Sequence, residues 1–157
     1  MKRYLLLAVV FSTAAFSQTN INSNTTIMFT VDQIHAAHSR VKTGADFPRY
    51  VQELKALGLK RYTNYVADGH TIYYGADGYS TQGPAKYAEM PVADNPAPEK
   101  FKKDIKEHQE GKTDYLTVCR QAAEAGVEKW IVDLEKMTCT YYDKAGSTLL
   151  VEIIPTP

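Results

Sequence analysis

The stretch DFPRYVQELKALGLKRYTNYVADGHTIYY, residues 46–74, decides the fold, because its signals return in the same order 68 positions later in DYLTVCRQAAEAGVEKWIVDLEKMTCTYY, residues 114–142. In the first copy Asp46 stands where a helix N-cap belongs. Phe47, Tyr50, Leu54 and Leu57 follow at helical spacing, and Gly58 supplies a left-handed stop. In the second copy Asp114 caps a face of Tyr115, Val118, Cys119, Ala122 and Ala125 that Gly126 closes. Runs rich in aromatic and branched residues come next, Leu59–Val66 with Thr71–Tyr74 and then Val127–Leu134 with Thr138–Tyr142. Asp68-Gly69 between the first two is a hairpin turn signal.

The ungapped shift pairs Asp46 with Asp114, Gly58 with Gly126, Tyr73 with Tyr141, Tyr74 with Tyr142 and Gly78 with Gly146. Matches at caps and stops weigh most, since backbone geometry dictates the residue there. Working outward, Thr30 and Gln33 form a capping box ahead of Val31, Ile34, His38 and Val41, a first helix ending near Gly44. Phe101, Ile105 and His108 mark its counterpart, stopped by Gly111. Thr148–Ile154 reads as a last strand, and its near-continuous apolar character predicts a central or well-covered position.

Between the copies, Pro84, Pro91, Pro96 and Pro98 remove backbone donors and fix φ, so residues 81–99 read as an ordered crossover without regular structure. The expected class is α+β: two helix-helix-hairpin repeats, 29–80 and 100–157, join their hairpins in one antiparallel sheet with the helices packed on one face. A pseudo-twofold axis follows from that arrangement.

Lys2 and Arg3, the apolar run Leu5–Phe11 and the small-residue site Ala15-Phe16-Ser17 read as a signal peptide over residues 1–17. The run is too short to span a bilayer, which takes about 20 apolar residues. The mature chain is therefore expected in the periplasm or secreted, with no membrane span after cleavage. Residues 18–28, rich in Asn, Thr and Ser, read as a flexible leader to a single domain at 29–157. The 18 basic and 18 acidic residues of the 157 cancel, and no basic stripe stands out, which removes the footprint of a nucleic-acid binder.

A family resemblance rests on Ala45-Asp46-Phe47-Pro48, the run Tyr65–Thr71, Gly75-Ala76-Asp77-Gly78-Tyr79 and His108-Gln109-Glu110-Gly111. It rests above all on the run Ala125–Trp130 and on Met137-Thr138-Cys139-Thr140-Tyr141-Tyr142-Asp143. Over residues 29–146 the chain resembles the YdfO-like family of bacterial and prophage proteins, some labelled phage envelope protein. The resemblance implies an α+β fold and supplies no catalytic residue, cofactor or partner. A signal peptide sets this chain apart, since it moves the domain into an oxidising compartment.

Three sets of residues are candidates for chemistry. Tyr65, Tyr73, Tyr74, Trp130, Tyr141 and Tyr142 concentrate on the hairpins. Those facing away from the helices form a platform for a sugar, a lipid head group or another protein, whereas the bland reading is cross-strand aromatic pairs. His38 and His108 are repeat-related once a two-residue gap is allowed, and with His35 they are the candidate metal ligands. Against this, a histidine on a helix flank ordinarily packs and donates one hydrogen bond. Cys119 and Cys139 are a candidate disulfide or simply two buried thiols.

No nucleophile elbow, phosphate-cradling glycine loop or zinc-protease helix occurs. Asp68 and His70 are spaced to orient an imidazole, yet Asp68 is already explained by the turn before Gly69. The expected function is a non-enzymatic binding or protein-interaction module that acts on an unnamed protein or small ligand and uses no cofactor. The alternative is a small metal-dependent or thiol enzyme with a site between the repeats.

Overall fold

A computed structural model describes residues 28–41 and 46–156. The expected signal peptide, nearly all of the expected leader and the helix stop at Gly44 lie outside the described residues. The element order is α1 (Val31–His38), α2 (Phe47–Ala56), β1 (Arg61–Tyr65), β2 (Thr71–Tyr74) and β3 (Ser80–Gly83), then α3 (Pro98–Gln109), α4 (Tyr115–Glu124), β4 (Lys129–Asp133), β5 (Thr138–Tyr142) and β6 (Thr148–Ile153).

Two of the caps read from the sequence, Thr30 and Asp114, form as side-chain caps, whereas Asp46 holds the N-cap position of α2 with helical backbone angles and without a side-chain cap bond. Thr30 Oγ1 accepts from the Gln33 N–H at 3.2 Å while Gln33 Oε1 accepts from the Thr30 N–H at 2.8 Å, the reciprocal box that opens α1. Asp114 Oδ1 accepts from the Thr117 N–H at 2.7 Å and opens α4. Helix α1 stops earlier than its apolar spacing predicts, at His38. There the Ser39 hydroxyl and an Arg40 guanidinium N–H both donate to the Ala36 carbonyl, at 2.8 and 2.9 Å, and compete with the next helical bond.

The six strands form one antiparallel sheet in the order β3-β2-β1-β4-β5-β6. Register and alternation sort its side chains into two faces. One face carries Tyr73, Tyr62, Asn64, Val132, Trp130, Cys139, Tyr141 and Leu150, paired across neighbouring strands. All of these except Asn64 meet Tyr50, Val51 and Leu54 of α2, Phe101 of α3 and Ala122 of α4 in the core. The fold is α+β with its helices on that face, as the patterning predicts. The other face carries Tyr74, Ile72, Arg61, Thr63, Tyr65, Ile131, Lys129, Thr140, Tyr142, Val151 and Ile153, and of these apolar side chains none belongs to the core cluster.

Two expectations are corrected. Residues 81–99 are not irregular throughout: β3 occupies 80–83 and α3 begins at Pro98. Proline is tolerated next to an edge strand, where its missing N–H is not needed by a further neighbour, and in the first turn of a helix. The last strand is not central. β6 is an edge, and Ile153 is 82% and Val151 53% exposed. Its continuous apolar run serves two purposes: Leu149, Leu150 and Ile154 pack on the core while Val151 and Ile153 face the side without helices.

The rest of the crossover is tied down by its own N–H groups. Lys86 N–H donates to the Asp68 carbonyl at 2.8 Å and Met90 N–H to that of Ala67 at 2.8 Å, which holds the segment over the β1–β2 turn. Ala93 and Ala97 N–H donate to the carbonyls of Ala123 and Ala125, each at 2.9 Å, so the segment then runs across the C-terminal end of α4.

Candidate functional site

The face without helices holds three of the six candidate aromatic residues. Tyr65, Tyr74 and Tyr142 lie on it, whereas Tyr73, Trp130 and Tyr141 point into the helix side. Tyr141 there meets Phe101 edge-on at 4.9 Å and donates to Glu152 Oε2 at 3.0 Å. On the open face each of two tyrosines carries a cation. Arg61 lies 4.6 Å from the ring centroid of Tyr74 and Lys129 5.8 Å from that of Tyr65.

Tyr65 also stacks on His70, centroids 4.5 Å apart and rings within 9° of parallel. His70 Nδ1 is 2.6 Å from Asp68 Oδ1, and a carboxylate only accepts, so Nδ1 donates. The same oxygen accepts the His70 backbone N–H at 3.0 Å, and this bond, with the imidazole's, holds the Asp68 carboxyl below its usual range. The pairing foreseen as an orienting dyad is present. Its partners are the turn and the Tyr65 ring.

β6 closes this face on an open edge. Ile154 N–H donates to the Met137 carbonyl at 2.8 Å. By the alternation of an antiparallel ladder, Glu152 then bonds inward to β5 while Val151 and Ile153 turn their N–H and C=O groups to the edge. Backbone donors and acceptors and two exposed apolar side chains therefore share one border.

The histidines do not gather. Among the described residues no group of three or more His, Cys, Asp or Glu side chains could hold a metal ion, so His35, His38 and His108 form no such group. His38 packs edge-on against Tyr50 at 5.3 Å, and burial, then Lys86, then His35 depress its pKa. His108 donates from Nδ1 to the Thr113 carbonyl at 2.9 Å, a bond that fastens the end of α3 to the following turn. Cys119 and Cys139 are free and buried, and no disulfide joins them. They face different neighbours. Cys119 meets the hydroxyls of Tyr87 and Tyr115, and burial pushes its thiol up. Cys139 lies beside Tyr141 and Glu152, and burial pushes it up to about 12.

A second constellation was missed in the sequence. Asn64 and Thr71, each 2% exposed, sit on the helix side of β1 and β2. Thr71 Oγ1 donates to Asn64 Oδ1 at 2.9 Å, and the same oxygen accepts from Lys86 Nζ at 3.2 Å and from the Tyr115 hydroxyl at 3.4 Å. One signal was available: Asn64 falls at an inward position of a strand whose neighbours Tyr62 and Val66 are apolar. Its partners, supplied by the crossover and by α4, lie far away in sequence and left no mark there.

Among the described residues, fold and site together define a helix-backed antiparallel sheet with an open, tyrosine-bearing face bordered by the edge strand β6. The chain belongs to the family described as "Protein of unknown function (DUF1398)", whose model matches residues 35–153. No curated protein matches it. Among the described residues no helix is long and apolar enough to cross a membrane.

Proposed function

We propose that this chain is a non-enzymatic protein-interaction module, exported from the cytoplasm, that takes an extended segment of another protein as an added strand on β6. The observation that carries this reading is the β6 edge: among the described residues no strand pairs beyond it, and Val151 and Ile153 present ladder groups and exposed apolar side chains together. Natural sheets ordinarily blunt such an edge with charge, proline or a bulge that twists it away. Here the only charged side chain of the strand, Glu152, points to the helix side, where Gln109 donates to it at 2.8 Å and Tyr141 at 3.0 Å. A bulge does occur, but it lies at the other end of β6, opposite Tyr141 and Tyr142. Strand addition draws affinity from main-chain bonds and specificity from alternate side chains. Tyr142, Tyr65 and Tyr74 continue the same face inward and offer rigid contact area at low entropic cost.

Export rests on the charged start, apolar run and small-residue site of residues 1–17. Duplication is part of the same reading. The strand order is unchanged when β1, β2 and β3 exchange with β4, β5 and β6, and Thr63 opposes Ile131, 68 positions on, at the centre of the β1–β4 pair. The YdfO-like motifs support placing those proteins in the same family.

A random peptide library selected on the immobilised mature protein tests the proposal. Enriched peptides are expected to alternate apolar and polar residues. Val151→Lys with Ile153→Lys is expected to weaken their binding by about tenfold or more, roughly 1.4 kcal/mol per factor of ten, while Arg120→Ala on α4 leaves it unchanged. Enriched peptides without alternation, or binding indifferent to the two lysines, would contradict strand addition.

A further inference from the structure

The crossover brings one amine into an uncommon setting. Lys86 is anchored by its backbone bond to Asp68, and its Nζ reaches the helix side of the sheet. There it donates to Asn64 Oδ1 at 3.2 Å and to Thr71 Oγ1 at 3.3 Å, two neutral oxygens on buried residues. The Tyr115 ring lies 5.5 Å from the nitrogen, and the Tyr115 hydroxyl reaches the same Asn64 oxygen. The titratable groups around it are the phenol of Tyr115, the thiol of Cys119 and the imidazole of His38. None is a carboxylate.

Lys86 is exposed as a residue, but its Nζ end is turned against two neutral oxygens with no carboxylate beside it, a setting that favours the neutral amine, and partial burial of that end lowers the Lys86 pKa accordingly. A neutral amine held in a fixed direction is a nucleophile at a pH where exposed lysines are protonated. The neighbouring thiol does not compete, because burial keeps Cys119 protonated. Tyr115 is half-exposed and partly covers the amine, so it stands at the mouth of the cluster.

We propose that Lys86 is a carbonyl-binding residue whose amine holds a small aldehyde or ketone as an imine beside Tyr115. The Nζ lone pair forms the N–C bond while the carbonyl π pair moves to oxygen. The proton lost by nitrogen passes to that oxygen, and the carbinolamine then expels water as the C=N bond forms. One water leaves for each imine, and no oxidant or reductant is consumed. The Tyr115 hydroxyl, which shares the Asn64 oxygen with Nζ, is in this proposal the donor to the departing oxygen. The site is built from β1, β2, the crossover and α4, and it does not depend on the β6 edge.

The test uses the mature protein with acetaldehyde and sodium cyanoborohydride, which reduces each imine to a stable ethylamine that peptide mass spectrometry locates. At neutral pH Lys86 is expected to carry several times the adduct of Lys136, whose side chain is 78% exposed. The preference is expected to vanish at alkaline pH, where all lysines are neutral. Tyr115→Phe should slow the Lys86 adduct and leave Lys136 unaffected. Lys86→Arg, with an unchanged circular dichroism spectrum, should remove the preferred adduct. Modification of Lys86 no faster than Lys136 at neutral pH would overturn the proposal, and an unchanged rate in Tyr115→Phe would remove Tyr115 from it.

Discussion

Replacing Phe101 by alanine is expected to lower the unfolding free energy by about 3–5 kcal/mol, the range for truncating a buried phenylalanine. Phe101 is 1% exposed and sits where α3 meets the sheet, edge-on to Tyr141 of β5. Its ring therefore joins a helix to a strand in the second half of the chain. The α3 surface around it is otherwise charged, and Ile105 is its nearest apolar companion one turn on. Phe101→Leu keeps much of the volume and is expected to cost less than about 2 kcal/mol. Urea denaturation checks both, with an unchanged slope confirming that the native state alone is affected. A loss below about 1 kcal/mol for the alanine variant would show that α3 is not held to the sheet at this point.

Gly126→Ala is expected to cost about 2–5 kcal/mol, the sum of a left-handed backbone penalty of roughly 1–2 and an overpacking cost of roughly 1–3. Gly126 has φ +76°, and a Cβ there would stand 2.9 Å from Pro96 Cα and 3.3 Å from the Ala93 carbonyl oxygen. Both obstacles are backbone, and the Ala93 and Ala97 bonds to the end of α4 hold them in place. Gly146 provides the comparison: its φ is +81° but nothing lies within 4 Å of its Cβ position, so Gly146→Ala should show only the backbone penalty of about 1–2 kcal/mol. Equal losses at the two glycines, measured by urea denaturation, would mean that the crossover does not press on α4.

The same glycines show why much of the fold was legible. Stops at Gly58 and Gly126, the cap at Asp114 and the box at Thr30 and Gln33 are local signals, set by a few neighbouring residues. Strand β3 was hidden because Pro84 follows it and its Ser-Thr-Gln-Gly sequence has no apolar alternation. β6 was legible as a strand but misplaced in the sheet, since a run such as Leu149-Leu150-Val151 reads alike whether one face or both are covered. The six candidate aromatics divided evenly between faces for the reason alternation gives, and only register told Tyr65, Tyr74 and Tyr142 from Tyr73, Trp130 and Tyr141. Lys86 could not be read at all, because its environment comes from Asn64, Thr71 and Tyr115 on three different elements.

Placing a photo-crosslinking phenylalanine analogue at Ile153, and separately at Arg120 on α4, in cells of the source organism tests the proposed interaction surface most directly. Both positions are exposed, so neither replacement disturbs the core. Strand addition on β6 is expected to give a discrete protein adduct from position 153 and none from position 120. No adduct at 153, or the same adduct from both positions, would contradict it.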